Sequence, residues 1–200
     1  MIDRFYPVVP SAEWVARLVP AGARFIQLRI KDQPEAELRR EMREAQAVCA
    51  KHGAQLIVND YWRIAIDEKC PWVHLGQEDL VDADVGAIRR AGLLLGVSTH
   101  DHAELDKGLS VDPDYVALGP IYPTLLKKMP FAPQGLDRIG EWKRLVGNKP
   151  LVAIGGLTLE RALLCLKAGA DSAAVVGDIV NNADPVAQAK KWIAETQAAA

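Results

Sequence analysis

The stretch RFIQLRIKDQPEAELRREMREAQAVCAKHGAQLIV, residues 24–58, carries the organisation of the whole chain. It opens on a short run of branched and aromatic residues, passes through a long segment with helical spacing of its apolar positions, and ends in a second short apolar run. The spacing predicts a strand over Arg24–Ile30, a helix over 34–52 and a strand over Gln55–Val58. Pro34 with Glu35 and Glu37 suits a first helical turn, where a missing N–H costs nothing, and His52-Gly53 suits the end, where glycine accepts a left-handed backbone.

Moving outward, the same alternation recurs to both termini. Strands are expected at Phe5–Val9, Trp72–Leu75, Leu94–Val97, Tyr115–Leu118, Leu151–Ile154 and Ser172–Val176, and helices near 11–20, 61–68, 82–91, 101–109, 136–147, 158–168 and 183–196. With the first unit this makes eight strands, each followed by a helix. At about 25 residues per unit, eight of them use up a chain of this length. No linker, low-complexity tract or charge block divides residues 1–200, so the expectation is an α/β fold, a single-domain (β/α)8 TIM barrel. An open doubly wound sheet would normally show a Gly-x-Gly-x-x-Gly turn after its first strand, and Val9-Pro10-Ser11 does not resemble one.

Composition narrows the function. Lys and Arg number 24 against 26 Asp and Glu, a formal charge of −2, so no basic field spreads over the molecule and neither nucleic acid nor a membrane surface is an expected partner. Any anion site must be local. The three cysteines have no Cys-x-x-Cys spacing, which argues against a disulfide framework and a zinc knuckle and for a reducing compartment. With no signal-peptide core or membrane-length apolar run, the expected location is the cytoplasm. The sequence leaves homo-oligomerisation open.

In a (β/α)8 barrel the chemistry sits at the C-terminal ends of the strands. The period of two places Gln27, Arg29 and Lys31 with Phe25 on the inward face of the second strand, over roughly 13 Å. Two cations in an apolar interior need partners, and Arg with Lys suits a phosphate as well as a network of acids. Asn59-Asp60 and His74-Leu75-Gly76-Gln77-Glu78-Asp79 end the next two strands. Asp60 and Asp79 are the kind of carboxylate pair that holds Mg²⁺ with water and phosphate oxygens, although each alone would suit a turn or a helix start. Ser98, in Gly96-Val97-Ser98-Thr99-His100-Asp101-His102, is a candidate donor to a substrate heteroatom or a helix cap. The long loop 119–131, with Lys127 and Lys128, reads as a basic lid or as solvated surface. Gly155-Gly156 and Gly177 are glycine-rich strand ends that can present backbone N–H groups to a phosphate.

The ordered set Gln27-x-Arg29-x-Lys31, Asn59-Asp60, His74 to Asp79, Gly96 to His100, Gly119-Pro120 with Thr124 and Lys127, and Ala153-Ile154-Gly155-Gly156 resembles the thiamine-phosphate synthase family over nearly the whole chain. The resemblance implies a transferase that joins an aminopyrimidine methyl diphosphate to a thiazole phosphate, with Mg²⁺ and release of pyrophosphate. It implies small-molecule substrates, with Gln27, Arg29, Lys31, Asn59 and Lys127 around the diphosphate. Of these, Arg29, Lys31 and Lys127 are the groups that would stabilise the leaving charge. Asp60 and Asp79 would ligate the metal and Ser98 would contact the pyrimidine, while Thr124, Gly155, Gly156 and the Gly177 end would hold the thiazole phosphate. The chain departs from the family at Leu126 and Gly177, where hydroxyl side chains are common. Two rival readings are a thiazole tautomerase of the same fold, which resembles sequences with His where Pro120 stands, and a barrel that binds phosphate ligands without turnover.

Overall fold

In the computed structural model, which describes residues 2–124 and 131–199, eight parallel strands close into a barrel in sequence order. They are β1 (Phe5–Val9), β2 (Phe25–Leu28), β3 (Gln55–Asn59), β4 (Trp72–Leu75), β5 (Leu94–Thr99), β6 (Tyr115–Leu118), β7 (Leu151–Ile154) and β8 (Ser172–Val175). The ring closes through Tyr6↔Ala174 and Pro7↔Val175, which pair β1 with β8. Around it lie α1 (Ala12–Leu18), α2 (Glu35–His52), α3 (Trp62–Asp67), α4 (Gln77–Asp82), α5 (Val85–Arg90), α6 (His102–Ser110), α7 (Gly135–Val146), α8 (Leu159–Lys167), α9 (Gly177–Val180) and α10 (Pro185–Ala198). Among the described residues, no helix is long and apolar enough to cross a membrane.

Strand alternation sorts the core into two layers. Leu28, Val58, Val73, Val97 and Val116 face the helices, where the large outer core includes Trp142 and Trp192. Tyr6, Val8, Phe25, Ile57, Trp72, Tyr115, Val152 and Ala174 face inward and fill the barrel. Tyr6, Phe25, Trp72 and Tyr115 interlock there, with successive ring centroids 4.6, 5.3 and 5.9 Å apart, so the lower half of the barrel is a packed aromatic plug.

The expected elements are present, with informative differences at their ends. β2 stops at Leu28, two residues short of the expected Ile30: Arg29 N–H makes a last bond to Val9 O at 2.8 Å, after which β1 has run into Pro10. β5 runs on to Thr99, because Ser98 and Thr99 find partners in Ala117 and Leu118 of β6. The helix expected over 82–91 is α5 alone, which starts later, where Asp84 accepts from Ala87 N–H at 2.8 Å, and α4 before it was not expected. α9 was not expected. Pro34 sits at the N-cap of α2 and Gly53 closes it with φ 66°, as the spacing predicts.

Candidate active site

The inward parity of β2 to β6 sets polar residues above the aromatic plug. Gln27 and His74 are buried at 4% and 7% exposure, and Asn59 at 6%. From Gln27 a continuous chain of hydrogen bonds crosses the barrel. Gln27 Nε2 donates to Tyr6 Oη at 2.7 Å, Tyr6 and Tyr115 share a bond at 2.8 Å, Tyr115 Oη meets His74 Nδ1 at 2.7 Å, and His74 Nε2 meets Ser98 Oγ at 2.7 Å. Ser98 is held from its other side too, since Gln77 Nε2 donates to its carbonyl at 2.7 Å.

Gly96 makes this arrangement possible. It is the inward residue of β5 beside Tyr115, and a Cβ there would stand 2.1 Å from the tyrosine ring. The bare backbone lets Tyr115 lie across β5 and stack on His74, with ring centroids 5.5 Å apart and planes 17° from parallel. Burial, and then the positive charge of Arg29, lowers the His74 pKa to about 4, so the ring is neutral near pH 7. Arg29 follows the end of β2 and is half-buried, and its charge is felt at His74. Lys31 lies further out and is exposed.

The acids follow next around the rim, after β3 and β4, the strands beside β2. Asp60 follows β3 with a left-handed backbone, φ 66°, and its N–H donates to His74 O at 2.9 Å. Asn59 Nδ2 donates to Asp60 Oδ2 at 2.5 Å, so the asparagine expected at the diphosphate holds this carboxylate. Asp79 lies in the first turn of α4, its carboxylate folded back to 3.1 Å from where a Cβ on Gly76 would be. Gly76 is the N-cap, so Asp79 stands at the third helical position, from which a carboxylate faces back to the cap. Burial raises the Tyr61 pKa, and the charges of Asp60, Asp32 and Asp79 raise it further. The negative charge of all three carboxylates is thus felt at the Tyr61 hydroxyl. Asp32, with φ 54°, was not singled out from the sequence.

Among the described residues, no group of three or more His, Cys, Asp or Glu is arranged for a metal. His100 Nδ1 faces Glu104 at 2.6 Å and His102 Nε2 faces Glu141 at 2.7 Å, so both rings are oriented by carboxylates of neighbouring helices.

On the remaining arc, Gly155 and Gly156 follow β7 with φ 100° and 66°. Cβ atoms there would meet Pro120 Cα at 2.7 Å and Pro123 O at 2.4 Å. The glycines are thus required by close packing of the segment after β6, whatever else they bind. Arg161 donates to Gly156 O at 2.6 Å and lies over the Tyr122 ring at 4.6 Å, pinning the same corner. Thr124 is half-buried at its edge, and Gly177 opens α9 at the end of β8. Lys127, Lys128 and Leu126 lie outside the described residues, and with them the expected basic lid.

Tyr6, Tyr115 and the bridging role of His74 escaped the sequence reading. Their signal was parity: Tyr6 on β1 and Tyr115 on β6 fall on the inward face, where a hydroxyl needs a partner.

A closed (β/α)8 barrel with cations, carboxylates and a buttressed serine around its C-terminal mouth defines an enzyme that handles a phosphorylated small molecule. A family model described as thiamine monophosphate synthase matches residues 5–179. Thiamine-phosphate synthase of Rhizobium etli is 61% identical over 195 residues, covering 98% of this chain and 96% of that protein. The enzyme of the same name from Neisseria meningitidis serogroup B is 49% identical over 189 residues, covering 94% of this chain and 92% of its own. Among solved structures, a thiamine phosphate pyrophosphorylase from Pyrococcus furiosus superposes with a TM-score of 0.84 at 25% identity, covering 96% of each chain. The chain belongs to the thiamine-phosphate synthase family.

Proposed function

We propose that this protein couples 4-amino-2-methyl-5-pyrimidinylmethyl diphosphate to a thiazole phosphate, forming thiamine phosphate and pyrophosphate. The observation that carries this reading is 61% identity to a thiamine-phosphate synthase along 98% of the chain.

The bond from the pyrimidine methylene carbon to the diphosphate oxygen breaks, and its electron pair leaves with pyrophosphate. The aminopyrimidine ring shares the positive charge on the methylene, and the thiazole nitrogen lone pair then closes the new C–N bond. The protein's task is to hold the departing charge and align the two rings. Arg29 and Lys31, which follow β2, are assigned to the diphosphate with Asn59, Lys127 and Gln27. Ser98 is assigned to the pyrimidine. Thr124, Gly155, Gly156 and Gly177 are assigned to the thiazole phosphate on the opposite arc.

Asp60 and Asp79 would hold Mg²⁺, and Asn59 fits that role by fixing the Asp60 carboxylate at 2.5 Å. A bound divalent ion supplies charge neutralisation of diphosphate oxygens as they leave. No protein nucleophile is assigned: Cys49, Cys70 and Cys165 are all buried.

Purified protein incubated with both substrates and Mg²⁺ should yield thiamine phosphate, and chelation should stop the reaction. Asp60→Ala and Asp79→Ala should each abolish coupling with the circular dichroism spectrum unchanged. Undiminished pyrophosphate release in either variant rejects the metal assignment, and tautomerised thiazole carboxylate phosphate as the only product rejects the coupling reaction.

A further inference from the structure

The interior chain from Gln27 to Ser98 has a direction, and its direction is set at the buried end. The Gln27 amide nitrogen can only donate, so Tyr6 Oη accepts from it at 2.7 Å and turns its single proton to Tyr115 Oη, 2.8 Å away. Tyr115, having accepted, directs its own proton at His74 Nδ1 at 2.7 Å. A neutral imidazole that accepts at Nδ1 carries its proton on Nε2, and that proton is donated to Ser98 Oγ at 2.7 Å. Tyr6, Tyr115 and the neutral His74 ring each carry one exchangeable proton, so the sense chosen at Gln27 passes to Ser98 without a break. Reversing the Gln27 amide would reverse all four bonds and turn the serine proton back onto His74.

From this we propose that Tyr6, Tyr115 and His74, with their sense set by the Gln27 amide, are positioning residues that fix the Ser98 hydroxyl as a hydrogen-bond donor into the barrel mouth, so that the pyrimidine atom it meets is an acceptor, a ring nitrogen, and not an amino group. The inference rests on the coupling reading for the substrate, but its geometry stands without it. Ser98 Oγ already receives a proton from His74, and its carbonyl is tied to Gln77 Nε2 at 2.7 Å. The serine's own proton is therefore not donated to His74 and is left to offer to a substrate acceptor. The sense of the hydroxyl is thus settled before substrate arrives, and its ordering is not charged to binding.

The test begins on the unmodified protein. Two-bond 15N–1H correlation spectra of the four histidines, with His74 assigned by its loss in His74→Asn, should show His74 as the neutral tautomer protonated on Nε2. An Nδ1-protonated ring, or an imidazolium, at pH 7.5 overturns the proposal whether or not the protein couples the proposed substrates. The second measurement is a double-mutant cycle in the coupling assay with Tyr115→Phe and Ser98→Ala. Tyr115→Phe should lower kcat about tenfold with KM for the pyrimidine diphosphate changed less than about threefold, and the double variant should be no slower than Ser98→Ala within about twofold. Losses that multiply would show that Tyr115 acts independently of the serine and would likewise overturn it. If the native tautomer is as stated and no thiamine phosphate forms at all, the directed chain survives and the substrate reading fails.

Discussion

Replacing Gly96 by alanine should unseat the whole interior of the barrel mouth. An added Cβ would lie 2.1, 2.4 and 2.5 Å from Cζ, Cε1 and Oη of Tyr115, where ordinary contact begins near 3.4 Å, so the ring must retreat by about 1 Å. Bonds of 2.8 Å to Tyr6 and 2.7 Å to His74 do not survive such a shift. Overpacking costs about 1–3 kcal/mol. Leaving buried polar groups without partners adds about 1–3 kcal/mol. The expected loss is about 2–6 kcal/mol, a large share of the roughly 5–15 kcal/mol that stabilises a typical domain. Urea unfolding read by tryptophan fluorescence measures it, and Tm should fall by about 10 °C. Gly140→Ala is the control: it lies in α7 with its nearest neighbour, Ala168 O, 3.8 Å from the new methyl, and alanine should add about 0.5–1 kcal/mol. In a Tyr115→Leu background the Gly96→Ala penalty should shrink by at least about 1 kcal/mol, because the colliding ring is gone. A Gly96→Ala protein within 1 kcal/mol of the parent, retaining activity, would refute the claim that this glycine seats Tyr115.

Other consequences can be checked in the same preparation. Gly156→Ala places a methyl 2.4 Å from Pro123 O at φ 66° and should cost about 2–4 kcal/mol, whereas Gly53→Ala, also at φ 66° but with nothing within 4 Å, should cost only about 1 kcal/mol; equal losses in urea melts would mean that strain alone matters. Burial pushes the Cys49 thiol up to about 11 and the Cys70 and Cys165 thiols up to about 12, so an aromatic disulfide reagent at pH 8 should label none in the native protein and all three in guanidinium; native labelling within minutes would contradict the packing. Asp171 Oδ2 accepts both Leu151 N–H and Lys143 Nζ at 2.7 Å, tying the start of β7 to α7. Asp171→Ala should cost about 1–3 kcal/mol, and Asp171→Asn, which keeps the acceptor for the backbone, less than half of that.

The eight alternating units were legible in the sequence because a strand buried on both faces and a helix buried on one leave different periods, which residues 24–58 display in full. The inward parity of Gln27 and the glycine at the end of α2 were legible for the same local reason. Residue placement past the strand ends was not. Whether β2 reaches Ile30 depends on where β1 meets Pro10, and whether β5 reaches Thr99 depends on what β6 offers beside it, and neither is written in the strand itself.

Residue types, order and charge thus determined a barrel with cations, carboxylates and a serine near its mouth, since these follow from chemistry along the chain. Tertiary structure alone decided that Asn59 grips Asp60, that Gly155 and Gly156 make room for the segment after β6, and that Tyr6, Tyr115 and His74 link Gln27 to Ser98. Those facts depend on distances between strands up to 109 residues apart in sequence, set when the ring closes. A local pattern records which face a side chain takes, and only the closed barrel brings the faces together.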